Sequence, residues 1–187
     1  FWFRIGGKAG GLRRLTPSYW GMVLAHMGFA ACVVGVVATS QYSIEHDLKM
    51  APGETETLAG YEFRFVEVAA VRGPNFVADE ARFEVFEDGK KIAALAPQKR
   101  RYLASGSMMT EAAIDPGLFR DLYIAMGEPI GEQGAWAIRL HYKPMVRWMW
   151  LGAILMGFGG FTTAFDKRYR RHRSGAPAKA AGVQYAS

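Results

Sequence analysis

Two uncharged apolar runs, Trp20–Thr39 and Trp148–Phe165, frame this 187-residue chain and limit what it can become. A helix rises about 1.5 Å per residue, so the first run would span roughly 30 Å, the thickness of a bilayer's hydrocarbon core. The second run passes the same length test. The expected fold is a membrane protein: two transmembrane α-helices with whatever lies between them held on one side. The first run starts well inside the chain and no small-residue cleavage site follows it, which argues against a signal peptide. The chain opens Phe1-Trp2-Phe3 without an initiator methionine and reads as a piece of a longer protein.

Charge orients the helices. Residues 1–18 hold four basic side chains and no acid, residues 40–145 hold 12 bases against 16 acids, and residues 146–187 hold 7 bases against one acid. Lys and Arg in short flanks prefer the cytoplasm. Both termini are therefore expected there, with the acidic middle exported. The basic balance has this topological explanation, so nucleic acid is not an expected partner. The expected divisions are a basic connector at 1–18, a first transmembrane helix at 19–40, an exported domain at 41–144, a second transmembrane helix at 145–165 and a basic tail at 166–187. The one cysteine, Cys32, falls in the first helix, where it is expected to pack. The exported domain has none, and no disulfide framework can hold it.

That domain, about 100 residues, reads as β-structure. Trp136, Ile138, Leu140 and Tyr142 alternate with smaller or polar residues, as do Ala81, Phe83 and Val85. Asp88-Gly89 marks a hairpin before Lys91–Leu95. Tyr61, Phe63 and Phe65 alternate until the phase flips at Val66 and Val68, the signature of a bulge. The expected architecture is an antiparallel β-barrel or β-sandwich, with a short helix near Leu118–Met126. In the apolar runs, small residues recur at Gly21, Ala25, Gly28, Cys32 and Gly35, and at Ala153, Gly157, Gly160 and Ala164. Each set makes a stripe along which a neighbouring helix can approach closely.

His26 lies inside the first run, about 100° round the helix from Ala25. An ionisable side chain at that depth is costly and rarely faces lipid, so it is expected to face a packed neighbour or a cofactor between helices. Its residue type leaves three roles open: an interhelical hydrogen bond, a metal or haem ligand, and a proton relay. His46, His141 and His172 read as solvated surface residues. No Cys/His/Asp cluster has zinc or copper spacing. Two stretches of the exported domain are candidate partner surfaces: the basic Lys99, Arg100 and Arg101, and the adaptable Met108, Met109 and Glu111. The plainer readings are an exposed strand or loop for the first and core packing for the second.

Several strings carry a resemblance: WGMVLAHMG at 20–28, GPNF at 73–76, GSMMTEAAID at 106–115, RDLY at 120–123, GAWAIRLHYKPMVRWMW at 134–150 and DKRYRR at 166–171. Together they resemble the C-terminal portion of the bacterial cytochrome c-type biogenesis family CcmF, the haem lyase subunits of a multi-protein maturation system. The resemblance covers about residues 13–171. It implies an inner-membrane protein, multi-pass, with residues 41–144 periplasmic, that helps attach haem to the thiols of a Cys-x-x-Cys-His motif in apocytochrome c. It implies a membrane haem b with two histidine ligands, of which His26 matches the second. The first would come from a missing N-terminal part of the same protein. It also implies, as partners, apocytochrome c, an apocytochrome-binding subunit, a haem chaperone, haem and the lipid bilayer. The family's tryptophan-rich haem-handling segment and its paired exported histidines have no match, so this stretch alone is expected neither to hold haem well nor to perform ligation. The alternatives from other classes are a cofactor-free, membrane-anchored scaffold for envelope proteins and a haem transporter.

Overall fold

The computed structural model describes residues 16–131 and 134–165. All but the last three residues of the expected connector, and the whole of the expected tail with His172, lie outside them. Contacts divide the chain into two units, one built from residues up to Ala31 with those from Leu151 onward, the other from Cys32–Trp150.

Helix α1 (Pro17–Tyr42) begins where Thr16 caps it. The Tyr19 amide donates to Thr16 Oγ1 at 3.3 Å and Pro17 takes the first helical position, which has no use for an N–H. Helix α2 covers Val146–Ala164. By length and composition α1 is long and apolar enough to cross a membrane, and among the described helices it alone meets that standard. Helix α2 is shorter, at 19 residues, and carries Arg147 in its first turn. Its role as a second transmembrane helix is therefore carried forward as a proposal.

In the first unit the helices meet through glycine. A Cβ added to Gly28 would lie 2.6 Å from the Gly152 carbonyl oxygen, and one added to Gly159 would lie 2.5 Å from the Gly21 carbonyl oxygen. Gly21, Gly28, Gly152 and Gly159 are all buried. The α1 stripe thus forms the contact face. The α2 stripe read from sequence does not: Gly157 and Gly160 face open space, and Ala153 and Ala164 are exposed. Two parallel rows of small residues lie one position apart on α2, and backbone approach to α1 selects the row through Gly152 and Gly159.

In the second unit ten strands follow α1: β1 (Ile44–Met50), β2 (Thr55–Leu58), β3 (Tyr61–Arg72), β4 (Phe76–Glu87), β5 (Lys90–Leu95), β6 (Gln98–Tyr102), β7 (Met108–Glu111), β8 (Ala113–Pro116), β9 (Arg120–Ile130) and β10 (Ala135–Pro144). They form two antiparallel sheets, β1-β10-β9-β8 and β2-β3-β4-β6-β7, with β5 paired to β4. Phe63, Phe65, Phe83 and Val85 from the larger sheet meet Leu122, Ile124, Met126, Ile138 and Leu140 from the smaller in one dry core. Phe65 and Phe83 stack with ring centroids 4.6 Å apart. Among the described residues no polar or charged residue is buried.

The expected helix near Leu118–Met126 is a tight turn leading into β9. Leu122, Ile124 and Met126 are fully buried at a spacing of two, and β9 pairs with both β8 and β10. Burial of that face in the sandwich overrides the local helical spacing.

Candidate functional site

His26 follows from α1 itself. Its Nδ1 donates to the Met22 carbonyl oxygen at 2.7 Å, one turn back along the helix. A carbonyl can only accept, so this bond puts the proton on Nδ1 and leaves the Nε2 lone pair free. The ring is exposed, not packed against a neighbour as expected. The physical reason is its place beside the stripe: Gly21 and Gly28 take up the contact with α2, and position 26 points off that line. An imidazole locked in one tautomer with an open Nε2 has the donor chemistry of an axial iron ligand. No second histidine lies on α1 or α2.

The two candidate partner stretches, separate in sequence, are adjacent strands. Arg101 pairs with Met108, Arg100 with Met109 and Lys99 with Thr110 across β6 and β7. The structure spends two of the three basic charges internally. Lys99 Nζ lies 2.7 Å from Glu128 Oε1 and its side chain is only 12% exposed. Arg100 Nη1 donates to Glu111 Oε1 at 3.1 Å while its guanidinium covers the Phe76 ring at 4.5 Å. The basic triplet is therefore not a free patch. Arg101 is exposed and, among the described residues, makes no ion pair; Met108, its cross-strand partner, is about half exposed on the same face, and Met109, paired with Arg100, is about half exposed on the other. This surface sits at the end of the sandwich far from the helices. The Tyr61 ring stacks with that of Tyr142 near the start of α2, and β3 then runs about 35 Å to the turn at Gly73-Pro74-Asn75. There the Asn75 carbonyl accepts from Leu103, next to the β6–β7 turn.

His46 on β1 is exposed, as expected, and faces Glu56 of β2 at 3.7 Å. His141 proves less solvated than expected. The His141 side chain is 13% exposed, its Nδ1 is 3.5 Å from Glu45 Oε2, and its ring meets Tyr123 edge-on at 5.0 Å. Burial pushes the His141 pKa below its ordinary value, against the opposing pull of Glu45. His141 and Tyr123 rim an open groove of about 560 Å³ on the outer face of the smaller sheet, floored by Ala125, Gly127 and Ala137. Arg139 crosses it but is held by both oxygens of Asp47, at 2.5 and 2.8 Å, an embrace that also keeps the Asp47 pKa low. Sequence reasoning missed this cluster. The signal was present: His141 and Tyr123 each fall on the outward phase of a strand, but only the register places them opposite one another. Among the described residues no group of three His, Cys, Asp or Glu side chains could hold a metal ion.

The family model described as the CcmF C-terminal beta-sandwich matches residues 41–144. The chain is 54% identical over 164 residues to the cytochrome c-type biogenesis protein CcmF of Pseudomonas aeruginosa, covering 88% of this chain and 25% of that protein. It is 48% identical over 161 residues to the Escherichia coli protein of the same name, covering 86% and 25%. It therefore spans about a quarter of the length of the curated relatives it matches. Among solved structures, a chain described as cytochrome c heme lyase CcmF shares the fold at a TM-score of 0.67 and 19% identity, over 83% of this chain and 27% of that one.

Proposed function

Because the chain belongs to the CcmF C-terminal β-sandwich family, we propose that it is the C-terminal part of a cytochrome c haem lyase, seated in the bacterial inner membrane. In that reading α1 and α2 both cross the bilayer, residues 41–144 are periplasmic and both ends of the chain are cytoplasmic. The whole protein's reaction joins the vinyl groups of a substrate haem to the two thiols of a Cys-x-x-Cys-His motif in apocytochrome c.

His26 is the residue of this chain that would hold a resident membrane haem b, through Nε2. The observation that carries this is the Nδ1 bond to the Met22 carbonyl, which fixes the tautomer and leaves Nε2 unspent. Such a backbone bond to the other ring nitrogen is the usual support of a metal-bound imidazole. When bound, the haem would supply one-electron transfer, and any further ligand to it would come from outside this chain. The two helices, packed through Gly28 and Gly159, fix the position of the ring along the bilayer. The test is the absorption spectrum of the complete detergent-purified protein beside its His26→Ala variant. The expected result is loss of the low-spin Soret and α-bands in the variant. Bands that persist unchanged would remove His26 as the haem ligand, and their absence from the unmutated protein would favour a cofactor-free scaffold.

The sandwich docks the periplasmic partners, among them the apocytochrome-binding subunit, the haem chaperone and apocytochrome c itself. Within the sequence-derived set of Lys99, Arg100, Arg101, Met108, Met109 and Glu111, the part free to do so on one face is Arg101 with Met108, because Lys99, Arg100 and Glu111 are engaged in ion pairs and Met109 lies on the other face with Arg100. Reversing one exposed cation at an interface rim costs roughly 1 kcal/mol, about fivefold in affinity. Arg101→Glu is expected to weaken co-purification of the apocytochrome-binding subunit by about that factor. Retention equal to wild type would remove this surface from the proposal.

A further inference from the structure

The turn between β8 and β9 breaks the pattern of a polar loop. Pro116-Gly117 leads into Leu118 and Phe119, which are 50% and 59% exposed. The turn is firmly shaped. The Gly117 amide donates to the Arg120 carbonyl at 2.8 Å and to Asp121 Oδ1 at 3.1 Å, and Arg120 Nη1 donates to the Asp115 carbonyl at 3.2 Å. Two large apolar side chains held rigidly in the open need an apolar partner or incur a standing hydration cost.

The position of the turn identifies that partner. The Phe119 carbonyl accepts from the Met145 amide at 2.9 Å, and its ring lies 6.2 Å from that of Trp148 in the first turn of α2. That first turn lies against the end of α1. A Cβ on Gly35 would sit 2.8 Å from the Met149 nitrogen, and Thr39 Oγ1 donates to the Pro144 carbonyl at 2.8 Å. Gly35–Thr39 are the closing residues of the uncharged run in the helix long and apolar enough to cross a membrane. Phe119 is thus level with the last turn of that run, where the hydrocarbon gives way to the interface. Trp148 and Trp150 beside it suit the aromatic belt of that zone.

We infer that Leu118 and Phe119 form a wedge that enters the lipid of the outer interface and fixes the attitude of the sandwich on the bilayer. The inference rests on the reading of α1 as a membrane span. It assigns the β8–β9 turn a role as a monotopic anchor, which neither the haem site nor the docking surface requires.

The test uses the complete protein, with its native cysteines, Cys32 among them, replaced by serine, reconstituted in phosphatidylcholine–phosphatidylglycerol bilayers containing a nitroxide-bearing lipid. Single cysteines at Leu118, Val34 and Ala104 carry a fluorophore; Val34 reports the outer half of the α1 span and Ala104 the far β6–β7 turn. The expected result is loss of fluorescence at 118 comparable to that at 34, none at 104, and recovery at 118 when Phe119→Asp is added. Quenching at 34 without quenching at 118 overturns the inference and leaves α1 as a span. A label at 118 shielded from both lipid nitroxide and aqueous iodide means that protein covers the turn, which also overturns it. Absence of quenching at 34 defeats the span and the wedge together.

Discussion

Gly28→Leu in α1 is expected to destabilise the helix pair by about 3 kcal/mol or more, at the upper end of overpacking effects. The added Cβ alone would stand 2.6 Å from the Gly152 carbonyl oxygen and 2.7 Å from the Met156 nitrogen. Both are backbone atoms of α2 and cannot swing aside, so the helices must separate. Gly159→Leu is expected to act alike, because its Cβ would meet the backbone of Gly21 and Ala25. Gly157→Leu is the control, since nothing lies within 4 Å of its Cβ position. It is expected to stay within roughly 0.5 kcal/mol of wild type. Thermal unfolding of the purified chain in detergent reads all three. Equal effects at positions 28, 157 and 159 would contradict the assignment of the contact row.

The second large effect is in the sandwich. Phe83 is fully buried, stacked on Phe65, and belongs to the cluster that joins the two sheets. Phe83→Ala removes that ring where surrounding strands can collapse only partly, and is expected to cost about 3–5 kcal/mol. Domains of this size hold only about 5–15 kcal/mol in total, so the variant should sit near the edge of folding. Denaturant titration of the purified chain, with limited proteolysis within residues 41–144, measures it. Ile114→Ala, at a half-exposed position on β8, should change stability by no more than about 0.5 kcal/mol. A cost below about 1 kcal/mol at Phe83 would show that the two sheets do not depend on this core.

Local signals were the ones legible in sequence. The Asp88-Gly89 hairpin appears with both residues at positive φ, 49° and 73°, as a two-residue turn between right-twisted strands requires. The phase flip at Val66 is a register shift between Phe65 and Glu67 against β4. The small-residue row of α1 is its buried row. Features set by distant partners were not legible. Leu118, Leu122, Ala125 and Met126 fit helical spacing as well as Leu122, Ile124 and Met126 fit a strand, and only pairing with β8 and β10 decides between them. Nothing near Lys99–Arg101 announces that Glu128 and Glu111 neutralise two of its charges, because those acids arrive from β9 and β7. At His26 the depth and residue type were readable. The Met22 bond that frees Nε2, and the exposure of the ring, depend on the rotamer and on which face α2 occupies.

That open nitrogen is the centre of the functional account, and chemical rescue probes it most directly. In the complete protein, His26→Gly removes the imidazole and leaves a gap at its place on α1. Free imidazole added to the purified variant should occupy that gap and restore the low-spin haem spectrum in a saturable manner. A variant whose haem spectrum matches wild type before imidazole is added would contradict iron ligation by His26.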